Sequence, residues 1–133
     1  MSVLVDTSVW SQALRRREGR DDRVVRELAN LIEAYQARII GPIRQEILSG
    51  ISDRRQYESL RLKLQAFDDM QILAEDYEKA AAFNNDCRKR GIRGSHIDFL
   101  ICAMAYGRGL RIFTVDKDFA RFAGVIDLVL HQF

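Results

Sequence analysis

Ser2-Val3-Leu4-Val5-Asp6-Thr7-Ser8-Val9-Trp10 (residues 2–10) decides the fold class. A short apolar run ends in an acid, and that acid opens a stretch of helix-capping residues. Ile112-Phe113-Thr114-Val115-Asp116-Lys117-Asp118-Phe119 repeats the arrangement late in the chain. Short continuous apolar runs suit strands buried on both faces, as in a parallel sheet. Such a sheet gathers its strand ends along one edge, where ligands collect. Carboxylates that follow strand ends therefore meet in one cleft. They repel one another there unless a hard divalent cation neutralises them, which points to a metal site that receives a phosphate.

The rest of the chain alternates accordingly. Thr7 or Ser8 can cap a helix running toward Arg16. Val24, Val25, Leu28, Leu31, Ile32 and Tyr35 recur at spacings of three and four, predicting an amphipathic helix capped by Asp21 or Asp22. Residues 38–40 predict a second strand. Pro42 suits the first turn of a helix that carries Glu46 and stops near Gly50. Asp53 caps another helix, and residues 70–73 predict a third strand. A helix through Tyr77 and Cys87 and one from Ser95 to Tyr106 follow. Residues 110–115 predict a fourth strand, 117–122 a short helix and 125–130 a fifth strand. Strands alternating with helices predict an α/β fold, a parallel sheet covered on both faces.

With 133 residues, 47% of them hydrophobic and one Pro, the chain reads as one domain, 1–133, with neither linker nor repeat. Cys87 and Cys102 lack any CxxC spacing and read as buried reduced thiols, not a zinc site. An acid at position 6 comes too early for a signal peptide, and the longest apolar run, residues 99–106, is far too short to span a membrane. A cytoplasmic protein without a membrane partner is expected. Of the 21 basic residues, 17 are Arg. If four acids are sequestered, 21 basic residues face the remaining 15 acids, an excess of six that suits a polyanionic substrate.

Each acid has a plain structural reading beside the chemical one. Asp6 can be an N-cap, although Thr7 and Ser8 duplicate that role; as a metal ligand, its carboxylate would be oriented by one of those hydroxyls. Ser95-His96-Ile97-Asp98 has capping-box spacing, yet the helix that follows is apolar on every side and points Asp98 at the top of the sheet. Glu46 can be a solvated surface acid and Asp116 a cap. Asp118 can be a surface charge or support Asp116, and His96 reads as structural.

Val3-Leu4-Val5-Asp6-Thr7-Ser8, Gln45-Glu46-Ile47-Leu48-Ser49-Gly50, the segment His96 to Ala103, and Phe113-Thr114-Val115-Asp116-Lys117-Asp118-Phe119 together resemble the four acidic motifs of PIN-domain ribonucleases. The short length resembles the VapC-like toxins of toxin–antitoxin pairs, and the resemblance runs from residue 2 to about 130. Ile47 and Cys102 depart from the commoner Leu and Ala while preserving apolar helix faces. The resemblance implies a three-layer α/β/α domain whose sheet has about five strands in the order 3-2-1-4-5. It implies Mg²⁺- or Mn²⁺-dependent endoribonuclease activity, an antitoxin that occupies the acidic cleft, and a homodimer. Asp6, Glu46, Asp98 and Asp116 carry the catalytic and metal-binding expectation, with Thr7, Ser8, Thr114 and Asp118 in support. Arg15, Arg16 and Arg17 with Arg20, and Arg88 and Arg90 with Lys89 and Arg93, are candidate RNA contacts.

Other readings remain open. A receiver-like domain wants an acid pair after the first strand and a late lysine; Asp6 stands alone and no lysine follows Lys117. An Asp-x-Asp phosphatase wants an acid where Ser8 stands. A PIN-type RNA-processing nuclease, or a non-catalytic RNA- or protein-binding module that retains the pocket, fits the same four acids.

Overall fold

The computed structural model describes residues 2–14 and 20–133. β1 (Val3–Val5) lies at the centre of a parallel sheet, each of its residues at most 2% exposed. It pairs with β2 (Ala37–Arg38) through Val3–Ala37 and Leu4–Arg38. On its other side it pairs with β3 (Arg111–Phe113) through Val3–Arg111, Leu4–Ile112 and Val5–Phe113. Burial of a three-residue apolar run on both faces is what its unbroken hydrophobicity demands.

Helices flank this sheet on both faces as an α/β/α layered fold. They are α1 (Thr7–Leu14), α2 (Asp22–Glu33), α3 (Gly41–Leu48), α4 (Arg54–Leu64), α5 (Ala74–Lys89), α6 (His96–Arg108) and α7 (Asp118–Ala123). Asp21 caps α2 by accepting from the Arg23 N–H, and Asp53 caps α4 by accepting from the Gln56 N–H. Pro42 occupies the first turn of α3, where its missing N–H costs nothing. Phe99 to Ala105 of α6 are all buried, as a helix apolar on every side must be. Gly109 ends α6 at φ 64°, a left-handed conformation that glycine adopts without Cβ strain.

The sheet corrects one expectation. Among the described residues it has three strands in the order β2-β1-β3, not five in the order 3-2-1-4-5. Residues 69–73 and 125–130 each contribute a single parallel bridge, Ile39–Asp69 and Ile112–Leu130. The backbone groups that would extend the first of these are engaged elsewhere. The Gln71 carbonyl accepts from Arg108 Nη2 at 3.0 Å, and the Leu73 N–H donates to Asp76 Oδ2 at 2.8 Å. The second segment bends on itself, its Leu128 N–H bonded to the Ile126 carbonyl at 2.8 Å. An apolar run is necessary for a strand but does not reserve its ladder groups for a neighbour.

Two contacts fix the element that carries Asp98. Asp76 and Arg108 form a two-pronged ion pair at 2.9 Å that joins the start of α5 to the end of α6. At the other end of α6, a Cβ on Gly94 would lie 2.6 Å from Phe122 Cζ. Only a glycine backbone can approach the Phe99–Phe122 ring pair so closely.

Candidate functional site

β1 and β3 run side by side in the same direction, so Asp6 and the residues after Phe113 emerge at one edge of the sheet. Asp6 is 4% exposed. Its Oδ2 accepts from Ser8 Oγ at 2.6 Å and from Thr114 Oγ1 at 2.9 Å, with the Ser8 N–H at 3.4 Å. Each hydroxyl spends its one hydrogen on Asp6 and accepts in turn. Ser8 Oγ accepts from the Val115 N–H at 3.1 Å, and Thr114 Oγ1 from the Asp116 N–H at 3.0 Å. The two hydroxyls thus lock the start of α1 to the chain leaving β3. Burial pushes the Asp6 carboxyl above the usual carboxylate range, outweighing these hydrogen bonds.

Asp98 caps its own helix and also lines the cavity that holds the other acids. It closes a capping box, its N–H donating to Ser95 Oγ at 3.1 Å and its Oδ2 accepting from the Ser95 N–H at 3.0 Å. It also faces Asp6 and Asp116. Burial first, then the negative charges of Asp6 and Asp116, raise its carboxyl above the ordinary value. Asp116 Oδ1 accepts from the Asp118 N–H at 2.9 Å.

Asp6, Thr7, Ser8, Glu46, Asp98 and Asp116 line one open cavity of about 330 Å³, together with Ser11, Gln12 and Val115. Ser11 and Gln12 carried no signal of their own. They lie three and four residues beyond Ser8, one helical turn along α1, and that spacing puts them on its face. Glu46 reaches the cavity from α3 and is exposed. Thr7 Oγ1 is buried and has no hydrogen-bond partner among the described residues.

The other candidates lie apart. The Asp118 carboxylate stands 3.8 Å from Arg121 on the surface; its backbone, not its charge, serves Asp116. His96 faces a separate, more apolar cavity of about 340 Å³ with Tyr77, Ala80 and Ile97. His131 bonds Glu27 at 2.7 Å. Arg88, Arg90 and Arg93 are exposed at the end of α5 and in the loop before α6. Arg20 pairs with Asp22 at 3.2 Å, while Arg15, Arg16 and Arg17 lie outside the described residues. Cys87 and Cys102 are free and buried, and burial pushes both thiols up.

Among the described residues no three His, Cys, Asp or Glu side chains converge tightly enough to form a closed metal cluster. The donor chemistry nevertheless fits a hard divalent cation. Asp98 and Asp116 each commit one carboxylate oxygen to a backbone N–H, and the Ser8 and Thr114 hydroxyls both fall on Oδ2 of Asp6, so each acid keeps lone pairs to offer a cation. The raised proton affinity of Asp6 and Asp98 and the orphaned Thr7 hydroxyl mark a site short of positive charge and of a polar partner. All these donors are oxygens, which suits Mg²⁺ or Mn²⁺ better than zinc.

Residues 3–125 match the family model described as PIN domain. Ribonuclease VapC11 of Mycobacterium tuberculosis is 31% identical over 133 residues, covering 98% of both chains. The crystal structure of FitAcB from Neisseria gonorrhoeae superposes with a TM-score of 0.77 at 21% identity, over 97% of this chain and 96% of that one. A structure described as a toxin–antitoxin complex from Klebsiella pneumoniae superposes with a TM-score of 0.66 at 25% identity, over 94% and 96%. No helix among the described residues is long and apolar enough to cross a membrane.

Proposed function

The chain belongs to the PIN-domain family of VapC-like ribonucleases, and we propose that it is a metal-dependent endoribonuclease, the toxin of a toxin–antitoxin pair. The observation that carries the reading is the shared cavity: Asp6 and Asp98, each with raised proton affinity, line it with Glu46 and Asp116. Residues 1–133 act as one nuclease domain. The partners are an RNA substrate, a cognate antitoxin that covers the acidic cleft, and a second copy of the chain. The antitoxin proposal extends to this chain the toxin–antitoxin pairing of the Klebsiella pneumoniae complex. Two buried unpaired thiols suit a reducing cytoplasm.

Asp6, Asp98, Glu46 and Asp116 would hold Mg²⁺ or Mn²⁺. When bound, the ion supplies positive charge to the phosphate and a more acidic water. Ser8 and Thr114 keep Asp6 oriented, and the Asp118 N–H steadies Asp116. Thr7 offers its free hydroxyl to the ligand shell or the phosphate. Arg88, Arg90 and Arg93 hold flanking phosphates, with Arg15, Arg16 and Arg17 as a second basic group. A water attacks phosphorus in line with the ribose 3′-oxygen and gives its proton to a carboxylate of the cavity. The phosphorus–O3′ bond breaks and the departing O3′ takes a proton from solvent water, leaving 5′-phosphate and 3′-hydroxyl ends.

A second reading takes support from the open spacing of the carboxylates: a binding module that keeps the acidic pocket without the chemistry. Incubation with structured RNA in Mg²⁺, Mn²⁺ and EDTA separates the two. Cleavage that needs the metal is expected; undiminished cleavage in EDTA, or none in either metal, overturns the nuclease proposal. A small open reading frame beside the gene would distinguish a toxin from a processing enzyme.

A further inference from the structure

Glu46 is the acid of the cavity with the least local support. Its side chain is exposed, no hydrogen bond to it is recorded among the described residues, and α3 has only eight residues and no side-chain N-cap. Its place depends on what holds α3. Ile43 and Ile47 bury one face of that helix. The polar anchor is Arg44, one helical residue away from Gln45 and two from Glu46.

The Arg44 guanidinium makes three contacts at once. Nε donates to Asp69 Oδ1 at 2.9 Å, Nη1 to the Leu64 carbonyl at 2.8 Å and Nη2 to the Phe67 carbonyl at 2.6 Å. Leu64 is the last residue of α4, so Arg44 satisfies a helix-end carbonyl while it fixes the following turn. That turn packs against Trp10 of α1, the helix whose Thr7, Ser8, Ser11 and Gln12 line the cavity. The Phe67 ring packs edge-on against Trp10 at 5.3 Å, and Trp10 Nε1 donates to the Val5 carbonyl at 3.1 Å, beside Asp6. A planar fork with five donors can span a carboxylate and two carbonyls together; the point charge of lysine cannot.

We propose that Arg44 is a positioning residue that sets Glu46 against Asp6 across the cavity and so tunes its affinity for a divalent cation. This rests on the metal-site reading above. The test titrates Mn²⁺ alone into the protein without RNA, reading free ion by electron paramagnetic resonance, and checks fold by circular dichroism. Arg44→Ala is expected to weaken Mn²⁺ binding about tenfold, the size of a lost supporting contact at a metal site. Arg44→Lys keeps the charge beside Asp69 and loses the fork, so it is expected to lose part of that affinity; it carries the test if Arg44→Ala does not fold. In the Glu46→Gln background the Arg44 substitutions are expected to change affinity by less than about twofold, because their route to the ion is gone. Equal losses in both backgrounds, or Mn²⁺ binding unchanged by the Arg44 substitutions, would overturn the inference alone. A wild-type protein that binds no Mn²⁺ would overturn the metal reading and this inference with it.

Discussion

Gly94→Ala should loosen the whole Asp98 end of the molecule. The added Cβ would sit 2.6 Å from Phe122 Cζ and 3.1 Å from both Phe122 Cε1 and Phe99 Cε2. Neither ring can retreat, since Phe122 is 0% and Phe99 1% exposed, and Phe119 packs against Phe122 at 5.3 Å. The backbone must move instead, and the next residue is Ser95, whose N–H and hydroxyl hold Asp98. Overpacking of this kind costs about 1 to 3 kcal/mol, or about 3 to 10 °C in melting temperature for a domain of this size. Urea unfolding monitored by circular dichroism measures it, and a fall in midpoint at constant slope is expected. Phe122→Leu, though destabilising by itself, opens the space, so the penalty of Gly94→Ala should shrink in that background. A Gly94→Ala protein within about 0.5 kcal/mol of wild type, or penalties that simply add, would refute the reasoning.

Asp6→Asn should raise the stability of the metal-free protein near neutral pH. The folded-state pKa of Asp6 is raised above 3.8, so the stability it contributes is present below 3.8 and lost as pH rises through the folded value. The gap between variant and wild type should therefore close in acid; a variant less stable than wild type at pH 7 contradicts this. Asp76→Asn should act with the opposite sign, because the Arg108 guanidinium holds that carboxyl below its usual 3.8. Its stabilising contribution is present above 3.8 and lost as pH falls through the lowered value. Thermal melts should show the variant weaker by about 2 kcal/mol at neutral pH and converging with wild type in acid; parallel pH profiles contradict this. Tyr35→Gly should stabilise by about 0.5 to 1 kcal/mol, since Tyr35 holds φ 56° at 87% exposure and packing returns little for the strain. An unchanged or lowered urea midpoint would contradict it.

What the sequence made legible was local. The apolar runs before Asp6 and Asp116, the capping box at Ser95, the caps at Asp21 and Asp53 and the first-turn Pro42 are short patterns with one physical meaning each, and the chain adopts them. Parallel strands that end at one edge made the meeting of Asp6, Asp98 and Asp116 legible, whereas Glu46, in the middle of α3, was legible mainly through the family resemblance. The strand expected at 70–73 failed because Arg108 and Asp76 take the groups at residues 71 and 73, contacts separated by 37 and 3 residues in the chain, and the one expected at 125–130 failed because that segment bends on itself at Leu128. Arg44 was invisible for the same reason. Its partners at 64, 67 and 69 come together only in the folded molecule. Asp118 was read by its charge, whereas its backbone N–H is what touches Asp116.

Asp98→Asn tests the central claim most directly. The amide oxygen can still accept the Ser95 N–H, so the capping box and the fold should survive. Wild-type and variant protein are compared on structured RNA in Mg²⁺ and in Mn²⁺, with the fragment ends identified. The wild type is expected to leave 5′-phosphate and 3′-hydroxyl ends and to stop in EDTA, and the folded variant to cleave about 100-fold more slowly or less. A folded Asp98→Asn protein that cleaves at the wild-type rate would contradict the account.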